Sequence, residues 1–139
     1  MVKNGKSIHG LPAKFYTDQQ FWKTECNTVL SNGWLFVGFV HELLKSGDVC
    51  PILIAGKPIL LIKNNKNEIN AFHNVCSYRC LKLINEKKNV GKIIQCPYHS
   101  WSYDLDGKLK ASPHFGGTNQ HTPKGFNKSD HGLKPIRIH

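Results

Sequence analysis

A chain of 139 residues suits one domain and leaves little room for two independent cores, and no apolar run in it is long enough to span a membrane. The formal charge of +10 is almost all lysine scattered through turns, with Arg79 and Arg137 as the arginines, which argues against a nucleic-acid reader that gathers its charge on one face. Five cysteines cannot all pair internally, and in a reducing compartment clustered Cys and His point to a metal rather than to a disulfide framework.

In chain order, Met1-Val2-Lys3-Asn4-Gly5-Lys6 is basic but opens onto no apolar signal core, so a cytoplasmic protein is expected. Residues 11–16 read as an extended arm. Thr17 has the character of an N-cap, with Gln20 completing a capping box. Phe21, Trp22, Cys26, Val29 and Leu30 recur at helical spacing and Gly33 suits the C-terminal cap, which predicts one helix over 18–31 with Cys26 as a core thiol. The period then changes. Strands are expected over 34–40, 49–55, 58–63, 68–74, 92–95, 101–105 and 108–111. Turns fall at Ser46-Gly47-Asp48, Gly56-Lys57, Asn64-Asn65-Lys66-Asn67 and Asp106-Gly107, and residues 133–138 could supply a last strand. Short strands at this spacing predict an all-β fold, a small antiparallel β-sandwich preceded by one N-terminal α-helix. Three stretches follow: an arm, helix and first strand over 1–45 that pack on the domain, a core over 46–115, and a C-terminal segment over 116–139.

Two loops carry the chemistry, Cys76-Ser77-Tyr78-Arg79-Cys80 and Cys96-Pro97-Tyr98-His99-Ser100-Trp101, and each follows a predicted strand. Loops at one end of a sandwich can converge on a metal, and thiolate and imidazole suit iron or zinc. The remaining histidines, His9, His41, His114, His121, His131 and His139, show no ligand spacing, and His73 reads as a strand residue on the wrong side of the chain. Cys50 falls in a strand run and reads as core. No Ser–His–acid set and no glycine-rich phosphate loop is present.

At these residues the chain resembles the Rieske [2Fe–2S] domain of ring-hydroxylating oxygenase large subunits, the dioxygenases and choline-monooxygenase-like enzymes. The family pattern is Cys-x-His, a spacer, then Cys-x-x-His, with two thiolates on one iron and two imidazoles on the other. Cys96-Pro97-Tyr98-His99, continuing through Trp101, Tyr103 and Asp106-Gly107, is very similar to the second loop, and Ser100 stands where the family has glycine. Residues 71–76 look like the entry to the first loop. The resemblance spans essentially the whole chain, including 11–43 and 130–135. It departs at Tyr78-Arg79-Cys80, where the family has His-Arg-Gly, so the first histidine ligand is gone.

The resemblance implies Cys76, Cys96 and His99 as ligands. Cys80, short and soft, is the preferred replacement for the missing histidine; an empty site comes second and a Tyr78 phenolate third. Three thiolates and one imidazole would lower the potential below the family's, because another negative charge opposes reduction. Tyr103 matches a position whose hydroxyl tunes the cluster, although a packed strand tyrosine is an equal reading, and Trp101 shields the site from beneath. Tyr98 stands where respiratory Rieske proteins carry a disulfide cysteine, so that bridge is not expected.

The function implied is electron transfer from a reductase or ferredoxin to the mononuclear iron of an oxygenase catalytic domain. That second domain is not in this chain, which should catalyse nothing alone and is either a fragment or a free carrier. Partners are therefore a redox protein, an oxygenase domain and, on the family's pattern, other copies of the chain; the positive field would steer an acidic one, or serve only solubility. Two alternatives stand beside this: a degenerate fold holding a structural zinc or iron ion, for which Cys-x3-Cys and Cys-x-x-His spacing is acceptable, and a metal-free interaction module.

Overall fold

The computed structural model describes residues 2–3, 6–7, 10–118 and 122–139. Met1, Asn4 and Gly5 of the basic opening, and His9 and His121 among the unassigned histidines, lie outside the described residues. The chain divides into two compact units, Met1–Phe36 and Val37–His139.

In the first unit, β1 (Val2–Lys3) and β2 (Lys6–Ser7) pair antiparallel. A short helix α1 (Lys14–Thr17) replaces the extended arm expected over 11–16. Local bonds favour the turn: the Phe15 N–H donates to Pro12 O at 3.0 Å and the Asp18 N–H to Lys14 O at 2.9 Å. Helix α2 (Gln19–Asn32) follows, one residue from the predicted bounds at each end. Its N-cap is Asp18, not Thr17. The Asp18 carboxylate accepts from the Gln20 and Phe21 N–H groups at 2.7 and 2.9 Å, and Thr17 is already the last residue of α1. Cys26 is the buried residue of α2, while Trp22 and Val29 of the expected apolar face are exposed.

The run over 34–40, which begins in the first unit and ends in the second, forms no strand. Gly38 at φ 143° breaks the extended path, and Val40–Glu42 winds into a single 3-10 turn held by the Phe39 N–H on Glu42 Oε1 at 3.0 Å. Strands β3 (Asp48–Ile54) and β4 (Lys57–Lys63) form the predicted hairpin, turning on Ala55 and Gly56, both at positive φ. Then come β5 (Ile69–His73), β6 (Lys88–Asn89), β7 (Ile93–Gln95), β8 (Ser102–Asp104), β9 (Leu109–Ala111) and β10 (Pro135–Ile136). Two of these have short, polar or partial signals in sequence: β6 was not expected, and β10 is the end strand anticipated within 133–138.

Two antiparallel sheets result, ordered β10-β5-β4-β3-β6 and β7-β8-β9. Alternation along β4 explains the packing. Leu60 and Ile62 point into one cluster with Val49, Phe72, Ile94, Trp101, Tyr103 and Leu105, which joins the two sheets. Ile59 and Leu61 point the other way, into a second cluster with Leu43 and Ala71. Buried on both faces, β4 reads as an unbroken apolar run, as a central strand should. The fold is the expected all-β sandwich. No helix among the described residues is long and apolar enough to cross a membrane.

Candidate metal centre

The two loops that carry the cysteines leave β5 and β7 and are built alike. In the first, the Cys76 N–H donates to Leu81 O at 2.8 Å and the Cys80 N–H to Cys76 O at 2.9 Å. In the second, the Cys96 N–H donates to Trp101 O at 2.8 Å and the Ser100 N–H to Cys96 O at 3.1 Å. The closing residues of both are left-handed, Cys80 at φ 54° and Ser100 at φ 57°. Both positions favour glycine, and both are non-glycine here.

Asn74 fixes the base of the first loop. Fully buried, it donates to Ile84 O at 2.7 Å and accepts from the Ile84 N–H at 3.0 Å. Ser77 ties the loop to the C-terminal segment, its hydroxyl donating to Gly132 O at 2.8 Å.

The loops bring Cys76 and Cys96 into one buried cluster, each 2% exposed. Burial pushes the Cys96 thiol pKa up, opposed by the Tyr98 and His99 N–H groups, with Cys76 raising it further. The Tyr103 hydroxyl lies 3.2 Å from Cys76 Sγ and accepts from the Ser77 N–H at 3.0 Å. Its own pKa is raised, first by burial and then by Cys76. His99 Nδ1 is buried and has no hydrogen-bond partner, and Trp101 Nε1 shares that condition. A buried ring nitrogen without a partner is costly unless something else takes it up.

Tyr78 stacks on Trp101, with ring centroids 4.9 Å apart and planes 7° from parallel. His99 and Phe115 meet the same ring edge-on at 5.3 and 5.4 Å. The Arg79 guanidinium sits 5.1 Å from the Tyr78 centroid, and the Tyr78 hydroxyl beside it raises its pKa. The phenol ring is thus held on several sides, with the Arg79 guanidinium over it. Cys80 is exposed, and among the described residues no three Cys, His, Asp or Glu side chains gather closely enough to hold a metal ion. All five cysteines are free thiols. His73 lies in β5 and Cys50 in β3, where it packs against the second cluster.

Against the Rieske ligand pattern, the donor set fits at three positions. The buried Cys76 and Cys96 thiols and the unpartnered His99 nitrogen suit two sulfur ligands and one imidazole. The fourth position, occupied by Tyr78, does not fit.

Comparison with known proteins bears on the same residues. Residues 33–122 match the family profile of the Rieske [2Fe-2S] domain. The chain is 34% identical over 138 residues to the glycine betaine monooxygenase oxygenase subunit of Chromohalobacter salexigens, covering 99% of this chain and 30% of that protein. It is 31% identical over 135 residues to the carnitine monooxygenase oxygenase subunit of Escherichia coli K12, covering 97% of this chain and 35% of that protein. Among solved structures, the apo form of a quaternary ammonium Rieske monooxygenase superposes with a TM-score of 0.82 at 26% identity, over 94% of this chain and 36% of the other. Naphthalene 1,2-dioxygenase superposes with a TM-score of 0.77 at 26% identity, over 88% and 27%. The chain thus spans about a third of the length of the relatives it matches. Paired loops, clustered buried thiols and the matched profile agree: this chain belongs to the Rieske [2Fe–2S] domain family, and its relatives are oxygenase subunits.

Proposed function

We propose that the chain is an electron-transfer domain of a Rieske oxygenase, receiving electrons from a reductase or ferredoxin and delivering them to a mononuclear iron on an oxygenase catalytic domain. The observation that carries this reading is the pairing of two loops with one hydrogen-bond pattern, which buries Cys76 and Cys96 in one cluster with the Tyr103 hydroxyl beside Cys76 Sγ. Membership of the family implies a [2Fe–2S] cluster, and Cys76, Cys96 and His99 would hold it. Bound there, the cluster supplies a site that takes up and releases one electron.

The chain's own residues do the rest. Tyr103 orients Cys76 through its hydroxyl and fixes the Ser77 N–H on the same oxygen. Trp101, 1% exposed, keeps water from the base of the site. Cys80 is the proposed fourth ligand. Support comes from Tyr78, whose ring is pinned by Trp101, His99 and Phe115 with the Arg79 guanidinium over it. Drawing the Cys80 thiol in from solvent would also change a turn that a non-glycine residue holds at φ 54°.

The test is metal analysis of protein purified without air. Two irons and two sulfides per chain, a red-brown colour and an EPR signal on reduction are expected. Cys80→Ser should lose most of that iron; unchanged iron content and spectrum would remove Cys80 from the ligand set. A second reading is a single structural zinc or iron ion, for which the Cys-x3-Cys and Cys-x-x-His spacing is acceptable. One zinc per colourless chain would establish it instead.

A further inference from the structure

An imidazole that is to hold a metal is usually aimed by a hydrogen bond on one of its ring nitrogens. His99 Nδ1 makes none, although it is buried. Aromatic rings stand around His99 instead. Tyr98 lies 3.8 Å away between centroids with its plane tilted by 38°, and Tyr78 meets the imidazole edge-on at 5.3 Å and 68°. Tyr98 is the neighbour of His99 in sequence. In a strand the two side chains would point to opposite faces, and it is the loop that brings them ring to ring.

The two tyrosines belong to different loops, and one side chain reaches both. The Arg79 guanidinium lies 5.1 Å from the Tyr78 centroid and 5.8 Å from that of Tyr98. Both distances fall inside the range of about 6 Å over which a cation is attracted to a ring face. A planar guanidinium suits such contacts better than an ammonium does. Arg79 is exposed, so it gives nothing to the core. Its anchor is nevertheless firm, because Tyr78 is stacked on the buried Trp101 and met edge-on by Phe115. Tyr98, 57% exposed, has no such support beneath it. The order of dependence therefore runs from Trp101 through Tyr78 and Arg79 to Tyr98, and ends at His99.

We propose that Arg79 is a positioning residue, which clamps Tyr98 of the second loop to Tyr78 of the first and so keeps the His99 imidazole between them, aimed for ligation. The inference rests on the reading of His99 as a ligand and adds the residue that aims it. The clamp itself needs no metal, since every contact in it is made by side chains of the chain.

NMR of the metal-free chain, with histidine ring signals resolved, tests the clamp. At about pH 8.5, two units above the ordinary imidazole value of about 6.5, a change of protonation does not move those signals. In the parent chain, Overhauser contacts from the Arg79 side chain to both tyrosine rings are expected. Arg79→Gln should move the His99 ring signals toward their positions in the denatured chain and leave the amide signals of β3 and β4 in place. Arg79→Lys keeps a cation for the two rings and should fall between Arg79→Gln and the parent. Missing contacts to Tyr98, His99 signals unmoved in Arg79→Gln, or an Arg79→Lys chain no nearer the parent would each overturn the proposal. The parent contacts decide even where a variant fails to fold. In the iron-loaded chain, Arg79→Gln should release iron to a chelator about twofold to fivefold faster. Unaltered release while the His99 signals move would uphold the clamp and overturn the ligand reading beneath it, so the two failures are told apart.

Discussion

Tyr78 and Cys80 are the residues on which the chemistry turns. On the resemblance, Tyr78 stands at the family's histidine position and Cys80 at its glycine position, where the backbone is left-handed. Restoring both, Tyr78→His with Cys80→Gly, should raise the midpoint potential measured by redox titration, because a neutral imidazole replaces a charged donor. An unchanged or lower potential would contradict Cys80 ligation. Tyr103 is the other residue to vary, since its hydroxyl lies beside Cys76 Sγ. Tyr103→Phe removes the hydroxyl that meets Cys76 Sγ and the Ser77 N–H, so denaturant unfolding should show a loss of about 1–3 kcal/mol. The run Tyr78-Arg79-Cys80 was legible in the sequence without coordinates. The confinement of Tyr78 was not, because Phe115 is far along the chain and its approach depends on packing.

At the scale of elements, the hydrogen bonds that close the loops also link the strands. Asn74 joins the exit of β5 to Ile84 by a buried pair of bonds, so Asn74→Ala should cost about 1–3 kcal/mol and loosen the first loop. Asp48 does similar work at an exposed edge, where its carboxylate accepts from the Lys45 N–H and the Asn89 side chain, each at 2.8 Å. These bonds lower its pKa below the ordinary 3.8, the Lys45 N–H first. A depressed carboxylate contributes stability that is present above its unfolded value and lost as pH falls through the folded one. Acid unfolding of Asp48→Asn should therefore show a shallower loss of stability below about pH 4 than the parent chain. Strands with apolar alternation or a clear turn, β3, β4 and β5, follow from their residues. The run over 34–40 has the composition of a strand, but β3 already pairs with β4 and β6, and β5 with β4 and β10. Composition gives no view of which edges are free.

Across the whole molecule, the charge of +10 bears on encounter with a partner rather than on the fold. If it steers an acidic ferredoxin, the second-order rate of reduction in stopped-flow should fall severalfold as salt shortens the screening length from about 30 Å at 0.01 M to about 8 Å at 0.15 M. A rate indifferent to salt would assign the lysines to solubility alone. The sequence by itself determined the fold class, the hairpin of β3 and β4 and the resemblance to the Rieske domain family. Each is written in local periods, turn residues and spacing, which need no partner to be read. Tertiary structure alone decided that Cys76 and Cys96 share one buried cluster and that Tyr78 is wedged against Trp101, His99 and Phe115. Those facts join residues distant in sequence, and only the closing of sheet on sheet and loop on loop brings their side chains into contact.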